Sequence, residues 1–136
     1  MEHGPIKLGM VIFMQKDLAA AVEFYQKLGL KLNFHLPERW AEFDLGCVKL
    51  GLCPMEQAQD NVRTGVVFEV MQDLVAMHAK LQSEGITFVN EPVTAPHGVM
   101  IGVKDPGGNV FDLYQPTPEK MKEFVEKNKD EANSAQ

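Results

Sequence analysis

The chain has 136 residues, of which 45% are hydrophobic and 24% charged, and its formal net charge at pH 7 is −6. This length and composition fit a single globular domain and argue against extensive disorder. The acidic surplus argues against a nucleic-acid partner, because contacts to the phosphate backbone need clustered Lys and Arg.

The N-terminal stretch, residues 1–17, holds an apolar run of about six residues between charged ones. Such a run is too short for a signal-peptide core or a membrane span, so we expect no membrane partner. The chain has two cysteines, Cys47 and Cys53. If both lie on one strand they stand about 20 Å apart, too far for a disulfide. We therefore expect a reduced, cytoplasmic protein.

An internal repeat appears when the sequence is shifted by 56 residues. The residues that then match include Gly9 with Gly65, Asp17 with Asp73, Leu18 with Leu74 and Gly29 with Gly85. Each copy reads as an apolar strand, an amphipathic helix opened by Asp-Leu, a glycine and a further strand. The aspartates suit helix N-caps, and the glycines suit left-handed C-caps.

Between the helix and a final strand, each copy has two strands: residues 31–36 and 40–46 in the first, and 87–93 and 98–103 in the second. The copies end alike at a shift of 62, which aligns Leu50 with Asp112. Each copy is therefore a βαβββ module. After Pro116, Thr117 and Pro118 suit the start of a final helix.

The tandem modules, with the stretches "DLAAAVEFYQKLGL" and "VKDPGGNVFDLYQP", resemble the vicinal oxygen chelate superfamily. That superfamily includes glyoxalase I, extradiol dioxygenases, fosfomycin-resistance enzymes and bleomycin-resistance proteins. The resemblance covers residues 5–116 and implies an α+β fold, with a U-shaped mixed sheet around a cavity, in a homodimer. The predicted organisation is one domain, 1–130, made of modules 5–54 and 64–116 and a helix 117–130, followed by a frayed tail, 131–136.

Strand alternation places one set of side chains away from the helices, on the face that lines the cavity in the resemblance. This predicted ligand-binding set comprises His35, Trp40, Glu42, Glu69, Met100, Asp112 and Tyr114. Phe13 joins it in one register of the first strand and faces the helices in the other. His97, in a turn beside a strand, either caps the cavity or is a surface turn residue. The alternative is that this face only contacts solvent and binds no ligand, as in many half-exposed antiparallel sheets.

Metal-dependent members of the superfamily place His or Glu at four matched positions. In this chain they map onto Leu50, Asp112 and either Gly9 and Gly65 or Met10 and Val66. A divalent catalytic ion needs about three protein ligands. Only Asp112 can serve, so the chain departs from this pattern and we expect no metal and no other cofactor.

The first interpretation is therefore a metal-free small-molecule binding protein of bleomycin-resistance type. Its carboxylates would pair with a cationic antibiotic or metabolite, and Phe13, Trp40 and Tyr114 would stack on it. The alternative is a glyoxalase-type lyase, isomerase or dioxygenase, with a divalent metal on an unusual set around Asp112 and Glu69. A metal-free acid–base enzyme using His97 and a purely partner-binding domain with a closed cavity also stay open.

Overall fold

The computed structural model describes residues 4–57 and 59–134. The chain divides into two compact units. The N-terminal unit comprises Met1–Arg63 and Asp105–Asn109, and the C-terminal unit comprises Thr64–Lys104 and Val110–Gln136. Three helices and nine strands lie in the described part, so the fold is the mixed α+β type that was predicted. The U-shaped arrangement of the sheets stays a prediction.

The N-terminal unit contains a four-stranded sheet and one helix. Its elements are β1 (Met10–Gln15), α1 (Leu18–Lys27), β2 (Lys31–Leu36), β3 (Trp40–Asp44) and β4 (Lys49–Pro54). The strand order is β1-β4-β3-β2, with β1 parallel to β4 and the other neighbours antiparallel.

The five strands after β4 form a second sheet. The elements are β5 (Val62–Glu69), α2 (Leu74–Ser83), β6 (Thr87–Phe88), β7 (Val93–Ala95), β8 (Gly98–Lys104), β9 (Asn109–Pro116) and α3 (Pro118–Ser134). The order is β5-β9-β8-β6, and β7 also pairs with β8. None of the described helices is long and apolar enough to cross a membrane.

The helix ends follow the predicted signals. The Asp17 side chain accepts a hydrogen bond from Ala20 N at 3.1 Å, and that of Asp73 accepts one from Val75 N at 3.0 Å. Both aspartates are N-caps, which satisfies backbone donors that the first turn leaves unpaired. Gly29 has a φ of 93°, the left-handed conformation that terminates a helix at low cost.

In the core of the N-terminal unit, α1 packs on one face of the four-stranded sheet. Tyr25 is fully buried, and its ring centroid lies 6.4 Å from that of Phe13 and 5.9 Å from that of Phe43. Phe13 is 3% exposed and faces the helix. Its placement on the ligand-binding face was therefore wrong, and the second predicted register is the one that the strand adopts.

A buried polar network attaches the segment Asp105–Asn109 to the same unit. The Asp105 carboxylate accepts hydrogen bonds from Tyr25 Oη at 2.7 Å and Gln15 Nε2 at 2.6 Å. Asn109 Nδ2 donates to the Met14 carbonyl at 2.8 Å. A Cβ at Gly107 would stand 2.4 Å from Gln15 Oε1, so this turn needs glycine. Burial first, and then the Asp105 charge, raises the pKa of Tyr25 well above its ordinary value.

In the C-terminal unit, α2 and the strands form a second core. Phe68 packs edge-on against Phe111 at 5.0 Å, and His78 of α2 packs edge-on against Phe88 at 4.6 Å. Gln115 Oε1 accepts a hydrogen bond from Leu74 N at 2.8 Å, so a strand side chain completes the cap of α2.

Three details differ from the sequence-based expectations. The strand predicted at 87–93 is split into β6 and β7, and Asn90 Oδ1 accepts the Gly102 N–H at 2.7 Å between them. The helix predicted to end at residue 130 continues to Ser134, so only residues 135–136 of the predicted frayed tail lie outside the described residues. Cys47 lies in the turn before β4 rather than on the strand, and both cysteines are free.

Candidate functional site

The four-stranded sheet has one face covered by α1 and one face away from it, which we call the N-terminal open face. Cross-strand pairing sorts its side chains into rows. One row runs across all four strands through Ile12, Gly51, Glu42 and Phe34. On the other side of the sheet Ala41, Phe43, Leu50 and Leu52 are fully buried.

A register shift between Leu32 and Phe34 changes the face of half of β2. Phe34 pairs with Glu42 on the open face, whereas His35 pairs with the fully buried Ala41. His35 therefore lies on the helix side, and its prediction as an open-face residue was wrong. The reason is the extra residue of a β-bulge, beyond which every side chain points to the other face.

Trp40 lies on the N-terminal open face, as predicted, and its indole covers Gly51. A Cβ at position 51 would stand 2.4 Å from Trp40 Cζ2 and 3.1 Å from Met10 Sδ. Only glycine leaves room for the indole at this point of the strand. No sequence signal marks this role of Gly51, because the glycine acts through a side chain on the neighbouring strand.

Glu42 is a nearly buried carboxylate on the same face, with 9% of its surface exposed. Asn33 Nδ2 donates a hydrogen bond to its Oε2 at 3.1 Å. Lys49 Nζ lies 3.9 Å from the same oxygen, which is an ion pair without a direct hydrogen bond. The lysine side chain is 56% exposed and can turn into solvent.

The C-terminal unit has its own open face, on the side of β8 and β9 away from the buried Ile101, Val103, Phe111 and Leu113. The pairing places Met100 beside Tyr114 and Gly102 beside Asp112 on this face. The Asp112 carboxylate lies close to Gly102, since a Cβ there would be 3.7 Å from Asp112 Oδ1. Glu69, at the end of β5, is exposed and lies on the side of the strand opposite Phe68.

His97, in the turn between β7 and β8, is hydrogen-bonded through its carbonyl and its ring to Tyr114 of β9. Tyr114 Oη donates to the His97 carbonyl at 2.9 Å, and His97 Nδ1 lies 3.0 Å from the same hydroxyl. A hydroxyl has one hydrogen to donate, so it accepts from His97 Nδ1, which must carry a proton. When the ring is neutral, its other nitrogen, Nε2, is the acceptor. These two hydrogen bonds orient His97. The centroid of its ring lies 6.1 Å from that of Phe124 of α3.

The donor set does not fit the divalent ion that the superfamily resemblance implies. Leu50, the predicted counterpart of Asp112, is fully buried on the helix side, and its neighbours Lys49 and Gly51 lie on the open face. Neither an ammonium group nor a glycine offers a metal ligand. Among residues 4–57 and 59–134, no three His, Cys, Asp or Glu side chains are grouped so as to hold a metal ion.

Two cavities are lined by other residues than those named on the open faces. One of about 570 Å³, in the N-terminal unit, is lined by Lys16, Asp17, Leu18, Ala19, His35, Pro37, Glu38 and Pro54. The other, of about 490 Å³ in the C-terminal unit, is lined by Pro96, Lys120, Glu123, Phe124, Lys127 and Asn128. His35, which was predicted on the open face, lines the first of these cavities instead.

The profile of the Glyoxalase/Bleomycin resistance protein/Dioxygenase superfamily matches residues 7–113. The chain belongs to this superfamily. A comparison with curated protein sequences finds no match. Membership explains the fold, but the superfamily's name alone spans binding proteins and enzymes, so the reaction or ligand has to be argued from the side chains.

Solved structures with this fold include proteins of both kinds. TnmS3, an antibiotic binding protein from a Streptomyces species, is 24% identical, with a TM-score of 0.70 over 84% of this chain and 98% of that one. Lactoylglutathione lyase from Agrobacterium tumefaciens is 19% identical, with a TM-score of 0.65 over 82% of this chain and 95% of that one. A superfamily member from Sphaerobacter thermophilus is 20% identical, with a TM-score of 0.67 over 82% of this chain and 98% of that one.

Proposed function

We propose that the protein binds a planar aromatic small molecule with a cationic group, without a catalytic metal, on the N-terminal open face. The observation that carries the proposal is the close contact of the Trp40 indole with the backbone of Gly51, beside the carboxylate of Glu42. An aromatic surface next to a carboxylate is the pairing that recognises a flat cation.

The apolar surroundings support a ligand rather than water on this face. Ile12, Phe34 and Leu36 are 47%, 41% and 49% exposed, although the pairing places all three on the side of Trp40 and Glu42. Exposed apolar groups that gather around an aromatic ring and a polar anchor are typical of ligand-binding surfaces.

The charge of Glu42 supports a cationic or hydrogen-bond-donating group in the ligand. A carboxylate that is withdrawn from water is stable only with a partner. The partners in the structure are the Asn33 amide and the loosely placed, half-exposed Lys49. A ligand cation can take the place of the lysine ammonium at small cost, because the lysine remains hydrated.

The fold likeness is compatible with this function and does not carry it. An antibiotic binding protein and a lactoylglutathione lyase both share the fold. The donor set argues against the lyase type, because Leu50, the predicted counterpart of Asp112, is buried and its open-face neighbours Lys49 and Gly51 offer no metal ligand. Sequestration needs neither a nucleophile nor an ion, so it asks only for the aromatic and acidic groups that are present.

Calorimetric titration with bleomycin and with a panel of planar aromatic cations, on chelator-treated protein, tests the proposal. Binding by the wild type and its loss in Trp40→Leu support it. Phe124→Leu is the control, since Phe124 is a 43% exposed aromatic residue in the other unit. Equal loss in both variants, or binding that requires an added divalent ion, would contradict the proposal.

The predicted homodimer is tested in the same samples by light scattering. A second copy of the chain is the other partner that the exposed apolar residues of this face would suit. If Phe34→Ser and Leu36→Ser dissociate a dimer and leave ligand binding intact, the face is an interface and the proposed ligand site is wrong.

A further inference from the structure

Three sulfur-bearing residues lie at one corner of the N-terminal open face, and the proposed function uses none of them. Met14 of β1 is the direct cross-strand partner of Cys53 of β4. Met55 follows β4 and continues its hydrogen bonding to β1, since Met55 N donates to the Gln15 carbonyl at 2.8 Å.

The hydrogen-bond phase places all three residues on the same face. Lys49 N donates to Gly9 O at 3.1 Å and Met55 N donates to Gln15 O, so every second residue of this strand bonds to β1 in the same way. Cys53 lies an even number of residues from both Lys49 and Met55, so it has the same orientation. Residues two apart on a strand share a face, and the fully buried Leu52 marks the opposite one.

Standard strand spacings put the three side chains within reach of one ion. Neighbouring strands lie about 4.8 Å apart, and residues two apart along a strand about 6.6 Å. A methionine side chain has three rotatable bonds and spans either gap to a shared centre with metal–sulfur distances of about 2.3 Å. Met14 and Cys53 are half-buried and Met55 is 46% exposed, so an ion can enter from solvent.

We propose that Cys53, Met14 and Met55 bind a soft monovalent metal ion, Cu(I), through one thiolate and two thioethers. Thiolate and thioether sulfur select Cu(I) over hard ions such as Mg²⁺. Binding replaces the thiol hydrogen with the metal and releases one proton to solvent, so the complex of Cu⁺ and one thiolate is neutral. A neutral complex suits a half-buried site.

Silver(I), a redox-stable analogue, gives the sharpest test in protein labelled with ¹³C in the methionine methyl groups. The chain has eight methionines. One equivalent of Ag(I) should shift the methyl signals of Met14 and Met55 and leave those of Met10 and Met71 unchanged. A shift of neither Met14 nor Met55, or an equal shift of all signals, would overturn the site.

Competition for Cu(I) against the chromophoric chelator ferrozine, under anaerobic conditions with ascorbate, measures the affinity. Cys53→Ser should abolish uptake of one equivalent, and Cys47→Ser should retain it. Met14→Leu and Met55→Leu keep the volume of the side chain, so each variant should fold and bind at least about tenfold more weakly. Uptake lost equally in Cys47→Ser and Cys53→Ser would contradict the proposal. Glu42→Gln should leave uptake unchanged, which separates this site from the proposed ligand site.

Discussion

The indole of Trp40 and the backbone of Gly51 are in such close contact that no side chain fits between them. A Cβ at position 51 would be 2.4 Å from Trp40 Cζ2 and 2.8 Å from Trp40 Cη2. The two residues lie on adjacent antiparallel strands, with Gly51 directly opposite Glu42. One glycine thus fixes an aromatic surface next to a carboxylate, and several predictions about this face depend on it.

Gly51→Ala should displace the indole and weaken ligand binding. Trp40 is the only tryptophan, so the tryptophan emission of the chain reports on it alone. We expect a red shift of the emission as the ring moves into water, and about tenfold weaker binding of a planar cation, or about 1.4 kcal/mol.

Gly9→Ala is the matched control, because nothing lies within 4 Å of a Cβ at that position. It should change neither the emission nor the affinity. An unchanged emission in Gly51→Ala would show that the indole does not rest on the glycine.

Glu42→Gln should discriminate between charged and neutral ligands. The change removes the charge and retains the shape, so binding of N-methylquinolinium should fall by about tenfold, while binding of neutral quinoline should stay the same. Calorimetry on both ligands measures the difference. Glu23→Gln, on the exposed surface of α1, carries the same change in net charge and serves as the control. A similar loss in both variants would mean that the effect is long-range.

Asp105→Asn should destabilise the N-terminal unit by about 3 kcal/mol, as expected when one partner of a buried charged network is replaced. The new amide would turn a donor towards Tyr25 and Gln15, which both donate to Asp105 in the wild type. Urea unfolding measures the loss. A change below about 0.5 kcal/mol, the usual size for a surface substitution, would show that the network contributes little.

Because the pKa of Tyr25 is raised in the folded state, the free energy of unfolding depends on pH in the alkaline range. The ordinary pKa of this group is 10.0, and burial and Asp105 raise it in the folded state. The folded state therefore holds the proton more tightly, so this contribution is complete below pH 10 and is lost as the pH rises above it. Tyr25→Phe should be less stable at neutral pH and should lose less stability between pH 10 and 11 than the wild type. Equal slopes of the free energy of unfolding in that range would contradict the assignment.

His97 should show the less common Nδ1-protonated tautomer when it is neutral. The Tyr114 hydroxyl gives its only hydrogen to the His97 carbonyl and so accepts from Nδ1. Imidazole ¹⁵N shifts of the neutral ring identify the protonated nitrogen. Tyr114→Phe removes the acceptor and should increase the Nε2-protonated form. Persistence of the same tautomer in that variant would show that another group fixes the ring.

Much of the fold could be predicted because local signals agree with the tertiary structure. Asp17 and Gly29 mark the two ends of α1 as the sequence indicates. The alternation in β8 and β9 also places Met100, Asp112 and Tyr114 on the face that was expected. Helix caps and two-residue alternation depend on neighbours in sequence, and these neighbours are visible without a structure.

The parts of the site that could not be predicted depend on single-residue shifts in register. The bulge after Leu32 moves His35 to the helix side, and no glycine or proline marks it in the sequence. A shift of 62 aligned Asp112 with Leu50, but Asp112 lies on an open face and Leu50 is fully buried on the helix side. Since side chains alternate every residue, an error of one residue exchanges the core face for the open face.

The location of a bound planar cation on chelator-treated protein tests the central claim most directly. Amide and indole signals in ¹H–¹⁵N spectra locate the ligand, and the single indole N–H belongs to Trp40. We predict that the largest shifts occur at the Trp40 indole and the amides of Gly51 and Glu42, with the same amplitude before and after treatment with EDTA. Shifts centred on the cleft beside Phe124, or shifts that appear only after a divalent ion is added, would contradict metal-free binding on the N-terminal open face.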